Sequence, residues 1–302
     1  MKSDIITGDC LEVMSNMPDD SVDLIVTSPP YADRRKEQYG GASPDMYTTW
    51  WRERAMQMFR ILKPTGSLIL NIKESSADGV RQTYVYEMVL DMTKHLWDSG
   101  SGSWQWIDEY VWRKTNSFPG TFRNRLRDGW ERIYHFSPTA RPAIYPDAVK
   151  RPAAKSSARR IEHLAGRDEQ KIVPASGSKM VMSRGRWAES HRKKSKTKSG
   201  LDNVDREGWR DGLAEKNYMV LPDNVITGAT VCHNVGHPAA FPEYIPEFFI
   251  KLLSKPGDVV LDPFVGSGTT YRVAHRLGRV AIGIDLSEEY TRKIMPEKTL
   301  FD

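Results

Sequence analysis

The sequence predicts an α/β protein of three layers, a largely parallel sheet with helices on both faces, interrupted by one basic insertion. Short β-branched runs at Val22–Thr27, Val259–Leu261 and Val280–Ile284 alternate with longer segments of helical periodicity, the pattern of βαβ units. Two of these strands run into loops suited to ligands: Ser28-Pro29-Pro30-Tyr31 after the first, and Asp262-Pro263-Phe264-Val265-Gly266-Ser267-Gly268-Thr269 after the second. Between the two loops, residues 150–200 hold fifteen Lys or Arg against four Asp or Glu, an excess of eleven positive charges. Since the whole chain carries +5, the remainder carries −6, and a mildly acidic body bears one polycation of the kind that meets a polyanion.

A chain of 302 residues can build one large α/β domain, or a core with an insertion. Cys10 and Cys232 are its only cysteines and stand in no paired spacing, so a disulfide scaffold is excluded and no metal is expected. No apolar run approaches the roughly 20 residues that span a bilayer, and Lys2-Ser3-Asp4 lacks a signal-peptide profile. The expectation is a soluble cytoplasmic protein with no membrane contact.

Taken in order, Ile5–Thr7 reads as a short strand, and Gly8-Asp9-Cys10 turns into a helix over Leu11–Met17 that Pro18 ends. Val22–Thr27 is a buried strand whose apolar run stops at two prolines, which extend neither a ladder nor a helix. Ala32–Ser43, with Arg34, Arg35, Lys36 and two glycines, is too polar for core and lies over the site or toward a partner. Helical spacing of Trp51, Ala55, Phe59 and Leu62 predicts a helix over Tyr47–Leu62, followed by a strand at Ser67–Ile72. A further amphipathic helix is expected over Val80–Trp97, then a Ser-Gly linker at Ser99–Ser103. Trp104–Trp112 and Trp130–Phe136 then read as a hairpin at the sheet edge, with alternating aromatics and no helix between them.

Ser137–Pro222 shows no sustained apolar periodicity and cannot offset its ordering entropy alone. Periodicity returns over Pro242–Lys255, where Ile245, Phe248, Phe249, Leu252 and Leu253 form one stripe, and helix Thr269–Leu277 separates the last two strands. The predicted division is 1–136, 137–222 and 223–302.

Both loops leave the carboxyl ends of strands, where open α/β sheets bind ligands. Ser28 offers a hydroxyl, Pro29 and Pro30 offer carbonyls without competing N–H groups, and Tyr31 offers an aromatic face; together they suit a planar base carrying an amino group. For these residues alone, a proline turn closing a core strand is the plainer alternative. Gly266 and Gly268 let the backbone approach a ligand, and the helix start beyond them offers unpaired N–H donors. Asp285, 23 residues beyond Asp262, ends the next strand, where a carboxylate can accept from both hydroxyls of a ribose. The series of strand, turn, helix, strand and terminal acid points to a nucleotide-type cofactor, although pyrophosphate-binding folds use a similar one.

Together the two loops resemble those of the amino-group DNA methyltransferases, whose hallmarks are an Asp/Ser-Pro-Pro-Tyr/Phe catalytic loop and a Phe-x-Gly-x-Gly cofactor loop. The likeness extends to Gly8-Asp9-Cys10, Leu62-Lys63-Pro64, Trp112–Asn116 and His237-Pro238-Ala239-Ala240-Phe241-Pro242. The order, catalytic loop first, is similar to the permuted β class. Arg35-Lys36 ahead of Tyr39-Gly40, with the His237–Pro242 segment, is most similar to restriction-modification cytosine-N4 enzymes.

The resemblance implies a Rossmann-like, permuted S-adenosylmethionine-dependent methyltransferase fold, with the basic segment as target-recognition insertion. It implies that Asp262, Pro263, Phe264, Gly266, Ser267, Gly268 and Thr269 surround S-adenosylmethionine, that Asp285 holds its ribose, and that Asp9 lies near its adenine. It assigns to Ser28 and the Pro29 carbonyl the hydrogen bonds from the target amino group, and to Tyr31 the stack on an extruded base, with Pro30 completing the rigid loop. Arg34, Arg35, Lys36, Arg184, Arg186, Arg192, Lys193 and Lys194 are the expected DNA contacts. The implied setting is double-stranded DNA in a bacterial or phage-infected cytoplasm, a monomer or homodimer, with a cognate restriction endonuclease or none.

Ser28 at the first loop position favours cytosine N4, and adenine N6 is the alternative. More distant readings are RNA or protein amino groups and a catalytically silent DNA-binding protein. Carbon-5 methylation is set aside, because neither cysteine follows a proline. Asp9 equally suits a helix cap, His237 and Asn116 suit turns, and Trp104, Trp106 and Trp112 suit sheet packing. The run Arg192-Lys193-Lys194-Ser195-Lys196 suits a solvated face or DNA phosphates.

Overall fold

The structure, a computed structural model, describes residues 2–33, 42–94, 102–116, 124–152, 219–231 and 242–294. The first half contains β1 (Asp4–Thr7), α1 (Cys10–Ser15), β2 (Val22–Thr27), α2 (Pro44–Ile61), β3 (Leu62–Ile72), β4 (Ser76–Ala77), β5 (Val80–Arg81), α3 (Tyr84–Lys94), β6 (Gln105–Lys114) and β7 (Trp130–Ser137). The second half contains a 3-10 turn (Pro146–Val149), β8 (Arg151–Pro152), β9 (Met219–Val220), β10 (Val225–Gly228), α4 (Tyr244–Leu253), β11 (Val259–Asp262), α5 (Thr269–Arg276), β12 (Val280–Asp285) and α6 (Glu288–Ile294).

Eight strands form one sheet in the order β1-β12-β11-β2-β3-β7-β6-β10. All neighbours are parallel except at β7, which runs against both β3 and β6. Strand β2 shows why its sequence lacks polar alternation: Ile25 enters the cluster with Met14, Trp51 and Met88 of α1–α3, while Leu24 and Val26 enter the opposite cluster with Phe249 of α4 and Val273 of α5. A strand buried on both faces must be apolar throughout. This is the predicted three-layer α/β, Rossmann-like arrangement. The pair that comes last in sequence, β11 and β12, sits inside the sheet between β1 and β2, as a permuted chain requires.

Helix α2 starts at Pro44, earlier than expected, because proline's missing N–H costs nothing in a first turn. It buries Tyr47, Trp51, Ala55, Met58 and Ile61 along one face and ends where Leu62 turns extended.

Four features depart from the sequence expectations. Residues Val80 and Arg81, assigned to a helix, instead form a hairpin with Ser76 and Ala77. Asp78 and Gly79 sit at φ 50° and 78° between them, the backbone of a two-residue Asp-Gly turn. The β6–β7 hairpin does not close the sheet, since the unforeseen β10 pairs in parallel with β6, Ile226 opposite Trp112. An unforeseen α6 follows β12 and joins β1 through a Thr291–Thr7 hydroxyl contact of 2.6 Å. Finally, the chain divides into a body of Met1–Val149 with Pro222–Asp302 and a second unit of Lys150–Leu221, so the expected start of the insertion at 137 moves to 150.

Residues 138–149 belong with the body because their polar groups bond to it: Thr139 Oγ1 donates to the Pro64 carbonyl at 2.8 Å, Ala143 N to Thr65 at 2.9 Å and Tyr145 N to Leu252 at 2.7 Å. Within the second unit, Arg151 and Pro152 pair antiparallel with Val220 and Met219.

Candidate active site

The connection from β2 leads by α2 to β3, and that from β11 leads by α5 to β12, in opposite directions across the sheet. Their adjacent carboxyl ends are therefore a topological switch point, where open sheets bind ligands. A buried hydrogen bond joins the two ends: the Thr27 hydroxyl donates to Asp262 Oδ1 at 2.7 Å. The loop that begins at Ser28 and the loop that begins at Asp262 thus start side by side, although the residues at this junction are 235 apart in sequence.

On the glycine side, Asp262 Oδ1 also accepts from the Phe264 backbone N–H at 3.1 Å, and burial pushes the carboxyl up to about 6. Gly266 and Gly268 lie at φ 50° and 82°, so the turn uses the left-handed region twice before α5 begins. Asp285, at the end of β12, accepts from Gly266 N at 2.9 Å and from Ser287 N at 2.8 Å. Besides being free to accept further bonds at its remaining lone pairs, this carboxylate shapes the glycine turn. Pro263 is buried, while Ser267 is half-buried with its hydroxyl 3.3 Å from that of Thr269.

Asp9 caps α1 by accepting from Leu11 N at 2.7 Å, and its other oxygen meets Arg54 Nη2 at 3.4 Å. The Arg54 guanidinium lies 4.3 Å from the Trp50 ring centroid, and Trp50 in turn is 5.8 Å from Phe264. The cap and a place beside the glycine loop are therefore compatible roles for Asp9. Three carboxylates, an aromatic ring and a helix start around a glycine turn fit a cofactor with ribose hydroxyls and a positive centre. Burial lifts the Cys10 thiol to about 11, which leaves it a poor nucleophile.

On the catalytic-loop side, Pro29 is buried and Ser28, Pro30 and Tyr31 are half-buried. The loop is held at two points. Tyr47 of α2 donates to the Pro30 carbonyl at 2.9 Å, which leaves the Pro29 carbonyl as the acceptor free of that bond. Tyr31 donates to Glu131 Oε2 of β7 at 3.2 Å. Burial, reinforced by Glu131, raises the Tyr31 phenol well above its ordinary range, so it stays a protonated donor. Glu131 also accepts from Asn71 Nδ2 of β3 at 3.2 Å and from Lys114 Nζ of β6 at 2.5 Å.

Sequence reasoning missed Thr27, Tyr47, Arg54 and Glu131. Their partners are remote in sequence, and only the placement of Thr27 directly before Ser28 could have drawn attention to it. Trp104 and Trp112 are buried in sheet packing, whereas Trp106 is 45% exposed beside Tyr134. Asn116 ties the end of β6 to the chain after β10, accepting from Thr230 N at 2.6 Å. Arg34, Arg35, Lys36, Tyr39, Arg184, Arg186, Arg192, Lys193, Lys194, Cys232 and His237 lie outside the described residues. Among the described residues no group of three His, Cys, Asp or Glu could hold a metal ion, and no described helix is long and apolar enough to cross a membrane.

Comparison with known proteins agrees with this geometry. A family model described as DNA methylase, for N6 and N4 enzymes, matches residues 22–296. The type II methyltransferase M.PvuII of Proteus hauseri is 27% identical over 291 residues, covering 94% of this chain and 80% of that protein. The structure titled PvuII DNA methyltransferase (cytosine-N4-specific) superposes with a TM-score of 0.65 at 21% identity, over 99% of this chain and 88% of the other. A DNA modification methylase from Thermus thermophilus, solved with S-adenosyl-L-methionine, gives a TM-score of 0.54 at 20% identity, over 96% and 92% of the two chains.

Proposed function

Because the chain belongs to the N6/N4 DNA methylase family, a family whose cofactor is S-adenosylmethionine, we propose that it methylates the N4 amino group of cytosine in double-stranded DNA. The observation that carries this reading is the Thr27–Asp262 hydrogen bond, which sets an acceptor loop and a glycine turn side by side at the switch point. S-adenosylmethionine supplies an electrophilic methyl group on a sulfonium.

Asp285, the Gly266–Gly268 turn and Phe264 hold the cofactor, with Asp9 toward its adenine and buried Asp262 facing the positive centre. Ser28 Oγ and the Pro29 carbonyl accept the two N–H bonds of the target amine, draw its lone pair out of conjugation and orient it for in-line attack. The Tyr31 ring stacks on the base, which leaves the duplex because an amino group within the helix is out of reach. No covalent intermediate is needed. The preference for cytosine rests on Ser28 at the first loop position and on the likeness to a structure titled as a cytosine-N4-specific enzyme.

Lys150–Leu221, with Arg184, Arg186 and Arg192–Lys194, supplies the target-recognition surface, and Arg34–Lys36 contacts DNA beside the catalytic loop. The setting is the cytoplasm of a bacterium or phage-infected cell, with a restriction endonuclease as cognate partner. Tritium transfer from labelled cofactor tests the reading: duplex DNA takes up label, while RNA and protein do not. Failure of varied duplexes to take up label refutes it.

A further inference from the structure

Glu131 lies on the middle of the sheet, in a strand that sequence reasoning reads only as packing, yet its carboxylate collects three donors at the floor of the catalytic loop. Lys114 Nζ reaches Oε1 at 2.5 Å, and Tyr31 Oη and Asn71 Nδ2 each reach Oε2 at 3.2 Å. Its side chain is only 12% exposed and that of Lys114 17%, so the pair is well shielded from water. A carboxylate of this kind is an acceptor only. Tyr31 must therefore direct its single proton to Glu131.

The Ser28 hydroxyl is also within hydrogen-bonding reach of the Tyr31 hydroxyl. With the tyrosine proton committed, the remaining arrangement has Ser28 donating to the Tyr31 oxygen. The consequence for chemistry is directional. A serine whose proton points inward presents its lone pairs outward, toward whatever N–H group arrives at the loop.

We propose that Glu131 is a positioning residue for methyl transfer: through the Tyr31 hydroxyl it fixes the polarity of a Ser28–Tyr31–Glu131 hydrogen-bond chain, so that Ser28 faces the target amine as an acceptor. The inference rests on the proposed amino-group chemistry. It adds a residue from β7 to the site and a reason why the fourth loop position is Tyr here, since a Phe there leaves the chain without its middle link. Lys114 supplies the counter-charge that allows a carboxylate to sit at this depth. Glu131→Gln keeps the shape but offers an amide N–H that can donate to Tyr31, which reverses the chain and turns the Ser28 proton toward the substrate.

The test is a double-mutant cycle on duplex DNA. Glu131→Gln and Tyr31→Phe are each expected to lower kcat about tenfold, the scale of one hydrogen bond to a charged group. The double variant should be no slower than either single one, because both cut the same chain. Cofactor Kd and Tm should stay near the wild-type values, and the loss should fall on kcat with the KM for cofactor unchanged. Multiplicative losses, or a Glu131→Gln protein as fast as wild type, overturn the proposal. So does a loss of turnover accompanied by a fall in Tm and in cofactor binding, which marks a merely structural residue. A wild-type protein that labels no DNA fails at the earlier step and overturns the amino-transfer reading, and this inference with it.

Discussion

Replacing Asp262 by Asn tests the electrostatics of the glycine side. Burial holds this carboxyl at about 6, against an ordinary value of 3.8. A gap of about two units is worth ~3 kcal/mol at ~1.4 kcal/mol per unit. Because the folded-state value lies above the unfolded one, the associated stability is fully present below the ordinary value and is lost as pH rises through about 6. Between about pH 5 and about pH 7.5 the cofactor-free protein should lose ~1.4 kcal/mol from this group alone. Asp262→Asn keeps an oxygen for Thr27 and Phe264 N but carries no charge, so it should lose none of this and stand ~1–3 kcal/mol above wild type at about pH 7.5.

Urea unfolding of both proteins at the two pH values reads the difference directly, and other titrating groups cancel in the comparison. Saturating cofactor should then stabilise wild type more than the variant, since a positive centre offsets the buried charge. Parallel pH profiles for the two proteins would refute the assignment of that cost to Asp262.

Three further outcomes are expected. Ser28→Ala should lower methyl transfer at least about tenfold while cofactor binding, followed calorimetrically, is retained; full activity would remove Ser28 from its acceptor role. Asp285→Ala should weaken cofactor binding first and cost ~1–3 kcal/mol of stability, because two backbone N–H groups lose a charged acceptor; Asp285→Asn should recover most of the stability and little of the binding. Gly268→Ala puts a Cβ at φ 82° and 2.7 Å from Ile294 Cγ1, and should lower stability by ~2 kcal/mol or more. Gly129→Ala, with nothing within 4 Å, should stay within ~0.5 kcal/mol of wild type and serves as the thermal-melt control.

What the sequence made legible was local. The run Val22–Thr27 ends in two prolines, and the Asp262–Asp285 series is contiguous; each signal sits within about one βαβ unit, so pattern alone placed both loops at strand ends. The Asp78-Gly79 hairpin was equally local, but the helical period beginning at Tyr84 masked it when extended back to Val80. Strand β10 is short, Val-Ile-Thr-Gly, and only its pairing with β6 makes it a strand.

The contacts that turn two loops into one site were not legible. Thr27 meets Asp262 across 235 residues, and Glu131 meets Tyr31 across 100, separations that no periodicity reports. Thr139–Val149 looked like part of a polar insertion because its composition is polar, yet it is held to the body through backbone carbonyls that composition does not reveal.

Nucleoside mass spectrometry of duplex DNA incubated with this protein and S-adenosylmethionine tests the central claim most directly. N4-methylcytosine is the predicted product. N6-methyladenine would keep the amino-group mechanism and overturn the choice of base, whereas 5-methylcytosine, or no modified nucleoside, would contradict the account of Ser28 and Tyr31 as the receiver of an amine.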